Sequence, residues 1–550
     1  MISGFVVGVQ LFFSVITGMY FLSLLKGQKT VKTSIGKDYS KQQEKISKMR
    51  KLKLTTPLSE TTRPASFGEI VGQDRGTLAL KAAMCGPNPQ HVIIYGEPGI
   101  GKTAAARVAL DAAKEMSRSP FTRDAKFVEI DATTLRFDER GVADPLIGSV
   151  HDPIYQGAGA YGNAGIPQPR MGAVTKAHGG ILFIDEIGEL HATQMNKLLK
   201  VLEDRKVSLE SSYYSADDAN IPHYIHDIFK NGFPADFRLV GATTRNPADI
   251  PPALRSRCME IFFDSLGKED IKKITINAAH KGNFEYEPDV IGQIAKYAAN
   301  GRDAVSMIQT AGSIASLDYR NLITVKDIEW VIETGQYSPR ADQKVEPGFK
   351  VGVVNGLAVH GMRRGSLLEI EITAGISHDQ EGRIRITGII EEEEIHTSGG
   401  SSKRRSTARA SVDNVLTLIE RITGINHKDY NIHINYPGGV LVDGPSAGIA
   451  IFIALYSALF KKPISNEIAM TGEVSIHGKV YPVGGVYAKI TAAKLAGVKK
   501  VVIPVGNNQE TFHEMGIKVI PVSKIEEVIK YVFNENIEDV HIAAHTLLNA

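Results

Sequence analysis

Two short motifs in this 550-residue chain carry residue types that could do chemistry, and the first is a glycine-rich run. It reads Gly96, Glu97, Pro98, Gly99, Ile100, Gly101, Lys102 and Thr103. In such loops backbone N–H groups surround phosphate, the lysine reaches the β- and γ-phosphates, and the threonine hydroxyl binds magnesium. An apolar run precedes the loop and an alanine-rich run follows it, which is the strand, loop and helix order that phosphate binding needs. The motif predicts a site for ATP and Mg²⁺.

A pair of carboxylates follows a second apolar run. Residues 180–184 predict a buried strand, and Asp185 and Glu186 come directly after it. One carboxylate would hold the magnesium ion together with Thr103, and the other would polarise the attacking water. We therefore expect Asp185 at the metal and Glu186 at the water, with a structural acidic strand end as the alternative.

The second motif places a serine between a glycine-proline turn and a strongly apolar stretch. Ser446 precedes residues 447–458, which predict a buried helix. At a helix N-terminus, N–H groups and the helix dipole can stabilise an oxyanion, although a serine there can also simply cap the helix. Lys489 begins another helical stretch, and burial would lower its pKa enough for it to act as a base. The two motifs together predict an ATP-driven protease.

The composition limits the classes of function. A chain of 550 residues exceeds one hydrophobic core, so two or three domains are expected. The formal charge of +2 offers no broad attraction for polyanions, and we expect no specific nucleic-acid partner. Cys85 and Cys258 are far apart, which argues against a disulfide framework or a thiolate zinc site.

The N-terminus differs from that of a soluble protein, because residues 2–25 contain no charged side chain. This run is long enough to span a bilayer, and it lacks the flanking residues of the alternative, a cleaved signal peptide. In residues 26–53 basic residues outnumber acidic ones, which predicts a cytoplasmic side. We expect a single-pass protein of the cell membrane with its ATPase and protease domains in the cytoplasm.

Several segments around the phosphate loop resemble AAA+ ATPases. The segment before the loop resembles the one that packs around adenine, which implies that Ile70 and Val71 contact the nucleotide. A later run, Gly-Ala-Thr-Thr-Arg-Asn, resembles the sensor-1 strand end. There Thr244 and Asn246 are both candidates for contact with the γ-phosphate, and Asn246 is favoured.

Three arginines have counterparts in the same family. Arg255 and Arg257 lie in a turn that resembles the arginine finger, with Arg257 favoured, and Arg302 resembles the sensor-2 arginine of the helical lid. A finger acts on the nucleotide of a neighbouring subunit, so the resemblance implies a homo-oligomeric ring, a hexamer by family likeness. Surface ion pairs are the alternative for these arginines. Residues 146–148 or Tyr155 are pore-loop candidates, with core packing as the alternative.

The second half of the chain is similar to the Lon protease family, in which the serine of P-S-A-G and the lysine of G-G-x-x-x-K form a catalytic dyad. The resemblance implies that Ser446 is the nucleophile and that Lys489 is the general base and later the general acid. It also implies that Thr471 helps to hold the dyad. His433 matches a strand position near the site, although a lone histidine is more often structural.

The resemblance covers about residues 63–535, and its arrangement resembles the LonB proteases of endospore-forming bacteria, which points to sporulation. The expected fold is an α/β AAA+ module with a small helical lid, followed by an α+β Lon-type proteolytic domain, with one N-terminal transmembrane helix. The expected segments are an anchor (1–25), a basic linker (26–62), the large AAA+ subdomain (63–260), the lid (261–340), the proteolytic domain (347–535) and a tail (536–550). Within the proteolytic domain, residues 391–406 predict a mobile charged loop without a site.

The function that these features predict is ATP-dependent serine endopeptidase activity that unfolds and degrades protein substrates. One alternative is an AAA+ remodelling motor whose Lon-like domain does not cleave, and the presence of both Ser446 and Lys489 argues against it. A second alternative is a DNA motor, which the near-neutral charge and the lack of a recognisable DNA-binding module disfavour.

Overall fold

The computed structural model describes residues 14–20, 45–47, 49–50, 54–135, 144–151, 167–211, 214–218, 221–340, 344–360, 364–377, 381–388, 393–397, 400–404, 407–437 and 444–535. The chain divides into two compact units, Met1–Thr61 and Thr62–Ala550. In the first unit residues 14–20 are helical, and helix α1 spans Leu58–Thr61. Most of the predicted anchor lies outside the described residues, and none of the helices within them has the length and apolar character needed to cross a bilayer.

The first part of the second unit is built around a five-stranded parallel sheet. Its elements in chain order are α2 (Asp74–Met84), β1 (His91–Tyr95), α3 (Lys102–Glu115), β2 (Phe127–Asp131), β3 (Gly148–His151), β4 (Gln168–Met171), α4 (Ala173–Lys176), β5 (Ile181–Asp185), α5 (Ala192–Asp204), β6 (Lys206–Val207), α6 (His223–Asn231), β7 (Phe233–Pro234), β8 (Arg238–Thr243), α7 (Pro252–Arg255) and β9 (Cys258–Phe262). The strand order is β2-β5-β8-β1-β9. Strands β1 and β5 are continuous buried apolar runs, as in parallel sheets covered on both faces.

Parallel pairing decides where the predicted nucleotide residues meet. The phosphate loop follows β1, Asp185 ends β5, and Thr244 follows β8, which pairs with both of those strands. Because the carboxyl ends of parallel strands share one edge of the sheet, these residues converge there. The order of strands thus assembles the site from three distant segments of the chain.

A helical lid follows the sheet, as the sequence predicts. It contains α8 (Lys268–Lys281), β10 (Glu285–Tyr286), α9 (Pro288–Tyr297), α10 (Gly301–Leu317), β11 (Leu322–Ile323) and α11 (Val325–Thr334). The start of α10 is capped by the side chain of Asn300, which accepts from the N–H of Asp303 at 3.0 Å. The predicted boundary between residues 260 and 261 falls inside β9, so the large subdomain extends at least to Phe262.

The last part of the chain forms a seven-stranded mixed sheet around one buried helix. Its elements are β12 (Phe349–Val351), β13 (Val353–His360), β14 (Arg364–Ile376), β15 (Ile384–Thr387), β16 (Glu393–Thr397), β17 (Gly400–Arg404), α12 (Thr407–Thr423), β18 (Tyr430–Asn435), α13 (Gly448–Phe460), β19 (Pro463–Ser465), β20 (Ile468–Met470), β21 (Glu473–Val474), β22 (Val480–Tyr481), α14 (Val486–Leu495), β23 (Lys500–Pro504), β24 (Lys518–Val522) and α15 (Ile525–Phe533). The strand order is β15-β18-β14-β13-β20-β23-β24. Helix α13 is apolar on every side, which suits its place in the core, where all its residues except Ala458 and Phe460 are buried.

One expectation about this part was wrong. The segment 391–406 is not a loop throughout, because β16 and β17 pair as an antiparallel hairpin from Glu393–Arg404 to Thr397–Gly400. A charged composition does not prevent the backbone from pairing.

Candidate nucleotide and peptidase sites

The phosphate loop encloses its own lysine. Gly101 precedes α3 with φ of 98°, in the left-handed region that glycine occupies without strain. The side chain of Lys102 is buried, and its Nζ donates to the carbonyl oxygen of Gly96 at 2.6 Å and to that of Glu97 at 3.0 Å. A glycine-rich loop thus leads into the N-terminus of α3 with a buried ammonium group beside it, an arrangement suited to binding phosphate groups.

Opposite charges surround this lysine. Burial lowers the pKa of Lys102, and the nearby carboxylates of Glu186 and Asp185 act in the opposite direction. Burial raises the pKa of Asp185, and Lys102 opposes that shift. The carboxylate of Asp185 ends β5 and the hydroxyl of Thr103 lies in the first turn of α3, and oxygen donors of this kind are the ones that Mg²⁺ prefers.

Glu186 is held in an unusual backbone conformation. Its φ of 47° and ψ of 50° lie in the left-handed region, which is uncommon for a residue with a side chain. Its Oε2 accepts two hydrogen bonds from Thr244, one from the backbone N–H and one from the hydroxyl, both at 2.9 Å. The structure therefore places Thr244 against the predicted water-activating carboxylate.

Asn246, the residue that the sequence favours for sensor 1, occupies a different place. It is exposed and precedes the short 3-10 turn Pro247–Asp249. The chain turns away from the sheet edge after β8. Thr244, the first residue beyond the strand, therefore faces the site, and Asn246, the third, faces solvent. The geometry supports Thr244 over Asn246.

The lid and the segment before α2 both reach the phosphate loop. A Cβ added at Gly99 would lie 2.6 Å from Asn300 Oδ1 and 3.2 Å from Arg302 Cβ, so the start of α10 touches the loop. The charge of Arg302 also lowers the pKa of Lys102, after the larger effect of burial. Ile70 is buried beside Gly101, and Val71 is half-buried.

Arg255 is part of a structural network. Its Nε donates to Glu260 Oε1 at 2.7 Å, and its Nη2 donates to Glu260 Oε2 at 3.3 Å. Glu260 also accepts from the Tyr95 hydroxyl at 2.8 Å. Sequence reasoning missed this network, because nothing in a local pattern pairs Tyr95 with a residue 165 positions later.

Arg257 is exposed, and it lies at the edge of the sheet opposite the phosphate loop. It forms an ion pair with Glu203 and donates to the carbonyl of Ala253 at 2.8 Å. Cys258 pairs with His91, at the start of β1, whereas the phosphate loop follows the other end of that strand. A strand of this length spans roughly 15 Å, so Arg257 cannot contact the nucleotide site of its own chain. A finger role for Arg257 therefore requires a second copy.

Some of the pore-loop candidates lie in the core, and one lies outside the residues that the structure describes. Leu146 and Ile147 are buried in the hydrophobic core of the large subdomain, which supports the core-packing alternative. Gly148 begins β3, and Tyr155 lies outside the described residues.

Ser446 lies in a 3-10 turn, Pro445–Ala447, immediately before α13. Its carbonyl oxygen accepts from the Gly472 N–H at 2.8 Å and from the Thr471 hydroxyl at 3.2 Å. No hydrogen bond joins its hydroxyl to any other described residue, and neither this turn nor α13 has a side-chain cap. The capping alternative is thus unsupported, and the turn places the Ser446 hydroxyl ahead of a buried helix without a partner among the residues that the structure describes.

Lys489 is the most deeply buried cation of the proteolytic part described here. Only 2% of its surface is exposed, and burial lowers its pKa to about 8. Its Nζ donates to Thr471 Oγ1 at 3.0 Å. Thr471 therefore links the amine of Lys489 to the backbone of Ser446, and the structure brings together all three residues that the sequence predicts.

His433 is placed in a separate polar network. Its Nε2 lies 2.9 Å from the Thr387 hydroxyl, which donates to Asn435 Oδ1 at 2.8 Å. These residues lie on neighbouring strands of the sheet, β15 and β18. The contacts of His433 support the structural alternative.

Comparison with known proteins agrees with this division of the chain. The family model for the Lon protease (S16) C-terminal proteolytic domain matches residues 322–540, and that for magnesium chelatase subunit ChlI matches residues 66–260. The chain is 56% identical to Lon protease 2 of Bacillus subtilis (strain 168) over 528 residues, which is 96% of this chain and 95% of that protein. It is 31% identical to the archaeal Lon protease of Archaeoglobus fulgidus over 72% of this chain and 66% of that protein.

Proposed function

Because the chain belongs to the Lon protease family and is an ATP-dependent serine protease, we propose that Ser446, Lys489 and Thr471 form its peptide-cleaving site. One observation carries this assignment, which is the buried Lys489 amine 3.0 Å from a threonine that itself bonds the Ser446 carbonyl. A lysine acts as a base only when it can lose its proton, and a pKa of about 8 for Lys489 makes the neutral amine accessible near neutral pH.

Cleavage then follows the logic of a serine and its base. The Ser446 oxygen attacks the carbonyl carbon of the substrate peptide bond as the Lys489 amine takes the hydroxyl proton. The C–N bond breaks, the ammonium of Lys489 returns the proton to the leaving amine, and an ester remains on Ser446. Lys489 next takes a proton from water, which hydrolyses the ester and restores the serine.

Two features position these groups. Thr471 accepts an N–H of Lys489 and donates its own hydrogen to the Ser446 carbonyl, which fixes the direction of the amine lone pair. The N-terminus of α13 follows the serine turn, and its dipole favours the negative oxygen that forms during attack.

The ATPase half of the proposal assigns roles around the phosphate loop. We assign phosphate binding to residues 96–103 and to Arg302, adenine contact to Ile70 and Val71, and orientation of the attacking water to Glu186, with Thr244 as its partner. The oxygens of Thr103 and Asp185 would hold Mg²⁺, which neutralises phosphate charge when bound. The place of Thr103 in the first turn of α3 and of Asp185 at the end of β5, both half-buried, supports this assignment.

We also propose that the chain works as a hexameric ring attached to the cell membrane. Arg257 supports the ring, because only a neighbouring copy could offer it a nucleotide. The uncharged run of residues 2–25 and the basic residues after it support a single-pass anchor with both catalytic halves in the cytoplasm. The domain boundaries, the LonB-type arrangement and a role in sporulation remain predictions from the sequence.

The deciding experiment is degradation of an unfolded protein with and without ATP and Mg²⁺. Wild type should degrade it only with ATP, and Ser446→Ala should abolish cleavage while ATP hydrolysis continues. Ser313→Ala, which changes an exposed serine of the lid, is the matched control and should behave as wild type. Cleavage that persists in Ser446→Ala would reject the assignment of the nucleophile.

A further inference from the structure

Helix α14, which carries Lys489, contacts the ATPase half of the chain at its first turn and the segment that joins the two halves just after its last residue. At its first turn, the guanidinium of Arg75 lies 4.5 Å from the centre of the Tyr487 ring. After its last residue, the carbonyl oxygen of Ala496 accepts from the Val345 N–H at 2.9 Å. Tyr487 precedes Lys489 by two residues, so the first contact lies close to the proposed base.

The contact at the first turn belongs to the nucleotide-binding subdomain. Arg75 is the second residue of α2, and the buried side chain of Gln73 precedes that helix. The Gln73 amide holds the backbone of Asp264 through two bonds, donating to its carbonyl at 2.7 Å and accepting its N–H at 2.8 Å. Ile70, three residues earlier, packs beside Gly101 of the phosphate loop. Arg75 is therefore connected to the loop through a short segment in which Ile70 and Gln73 are buried.

The contact after the last residue of α14 belongs to the segment that joins the two halves. Arg340 donates to the Leu266 carbonyl at 2.8 Å, and its N–H donates to the Lys296 carbonyl at 2.9 Å, which fastens the chain after α11 to the lid. Val345 packs against the hydrophobic core of the proteolytic part. Helix α14 thus meets the ATPase half directly only through its first turn, among the contacts described here.

Between these two contacts the ATPase and proteolytic parts enclose a cleft of about 730 Å³. Its walls include Arg75, Asp264 and Lys268 on one side and Tyr487 and Leu495 on the other. The enclosing walls raise the pKa of Asp264, whose side chain is exposed to the cleft, and Arg75 opposes that shift. Because this space is not filled by packed side chains, α14 has room to shift relative to the ATPase half.

A nucleotide in the proposed site would contact both the large subdomain, through Lys102, and the lid, through Arg302. A ligand that contacts both of these parts favours the arrangement in which both contacts form. We propose that Arg75 and Tyr487 are positioning residues that couple nucleotide occupancy to the placement of Lys489 through α14. This inference rests on the proposed function of Ser446 and Lys489.

The coupling needs only a small displacement. The hydrogen bond from Lys489 to Thr471 spans 3.0 Å, and a shift of about 1 Å in a catalytic group costs on the order of a hundredfold in rate. A cation held over an aromatic ring is directional enough to transmit such a shift.

The test measures cleavage of a short unstructured peptide with and without an ATP analogue that is not hydrolysed. In Arg75→Ala and in Tyr487→Leu we expect the stimulation by nucleotide to fall about fivefold, which is the range of one cation–π contact. Tyr487→Phe keeps an aromatic face and should retain the stimulation. The loss should lie in kcat with KM unchanged, and the double variant should lose no more than either single variant.

Controls separate coupling from damage to the fold. ATP hydrolysis, cleavage without nucleotide and the melting temperature should stay at wild-type levels, as they should in Arg118→Ala, which changes an exposed arginine. Unchanged stimulation in both single variants would overturn the coupling and leave the dyad intact. Parallel loss of basal cleavage, or equal loss in Tyr487→Phe, would assign the contact a merely structural role. Persistent cleavage in Ser446→Ala would overturn the dyad and this inference together.

Discussion

The two halves of this chain each bury a lysine near the start of a helix, and their surroundings give the two amines different properties. Lys102 is 7% exposed in the ATPase half, and Lys489 is 2% exposed in the proteolytic half. Each helix follows a glycine of positive φ, Gly101 at 98° and Gly485 at 67°. Burial lowers the pKa of both lysines.

The difference lies in their neighbours. Lys102 has Glu186 and Asp185 close by, and both carboxylates favour its charged form. Among the described residues none is a charged neighbour that shifts Lys489, and burial lowers its pKa to about 8. A cation that must attract phosphate therefore keeps its charge, and an amine that must accept a proton is left without a counter-charge. The neighbours of a buried lysine, more than its depth, decide its chemistry.

Exchanging each lysine for alanine should separate the two activities most strongly. Lys489→Ala should lower peptide cleavage about 10²- to 10⁴-fold, the usual contribution of a general base, and leave ATP hydrolysis intact. Lys102→Ala should remove ATP hydrolysis and leave basal cleavage of a short peptide. Lys494→Ala, an exposed lysine on the same helix as Lys489, is the matched control. Equal loss of both activities in either variant would contradict the comparison.

A smaller effect should follow from the partner of Lys489. Thr471→Val removes the oxygen that accepts from Lys489 and donates to the Ser446 carbonyl. We expect cleavage to fall about tenfold, as for one lost hydrogen bond beside a charged group. Thr471→Ser keeps the hydroxyl and should recover most of the rate. If valine kept the rate and serine lost it, the methyl group rather than the hydroxyl would be what the site needs.

The smallest expected effect is a difference in pH dependence. Lys489 has a lowered pKa near 8, so its active neutral form increases as pH rises through that value. Peptide cleavage should rise about fivefold between pH 7 and pH 8 and then level off. ATP hydrolysis should change little over the same range, because the carboxylates near Lys102 favour its charged form. The pH dependence is measured from initial rates of peptide cleavage and ATP hydrolysis with one preparation of the protein. A cleavage rate that does not change with pH would count against Lys489 as the base.

Local pattern predicted the elements that present these groups. The apolar run before the phosphate loop is β1 (His91–Tyr95), and the helix expected over residues 447–458 is α13 (Gly448–Phe460). Such elements follow from hydrophobic runs and glycine positions, which are properties of neighbouring residues. The AAA+ and Lon-type fold classes were predictable for a different reason, the resemblance of several motifs to those families.

Contacts between distant segments were not predictable from pattern. Thr244 rather than Asn246 meets Glu186, a residue 58 positions away, because of how the chain leaves β8. The hairpin of β16 and β17 depends on backbone pairing that a charged composition does not reveal. A sequence pattern identifies which residues could act, and the packing of separate strands decides which of them meet.

The position of Arg257 at the far edge of its sheet has a consequence for how the protein responds to dilution. If hydrolysis at each nucleotide site requires Arg257 from another copy, a single chain binds ATP but hydrolyses it slowly. ATP consumption per chain would then increase with protein concentration until the assembly saturates. ATP hydrolysis would then be confined to assembled rings, and single chains would consume little ATP.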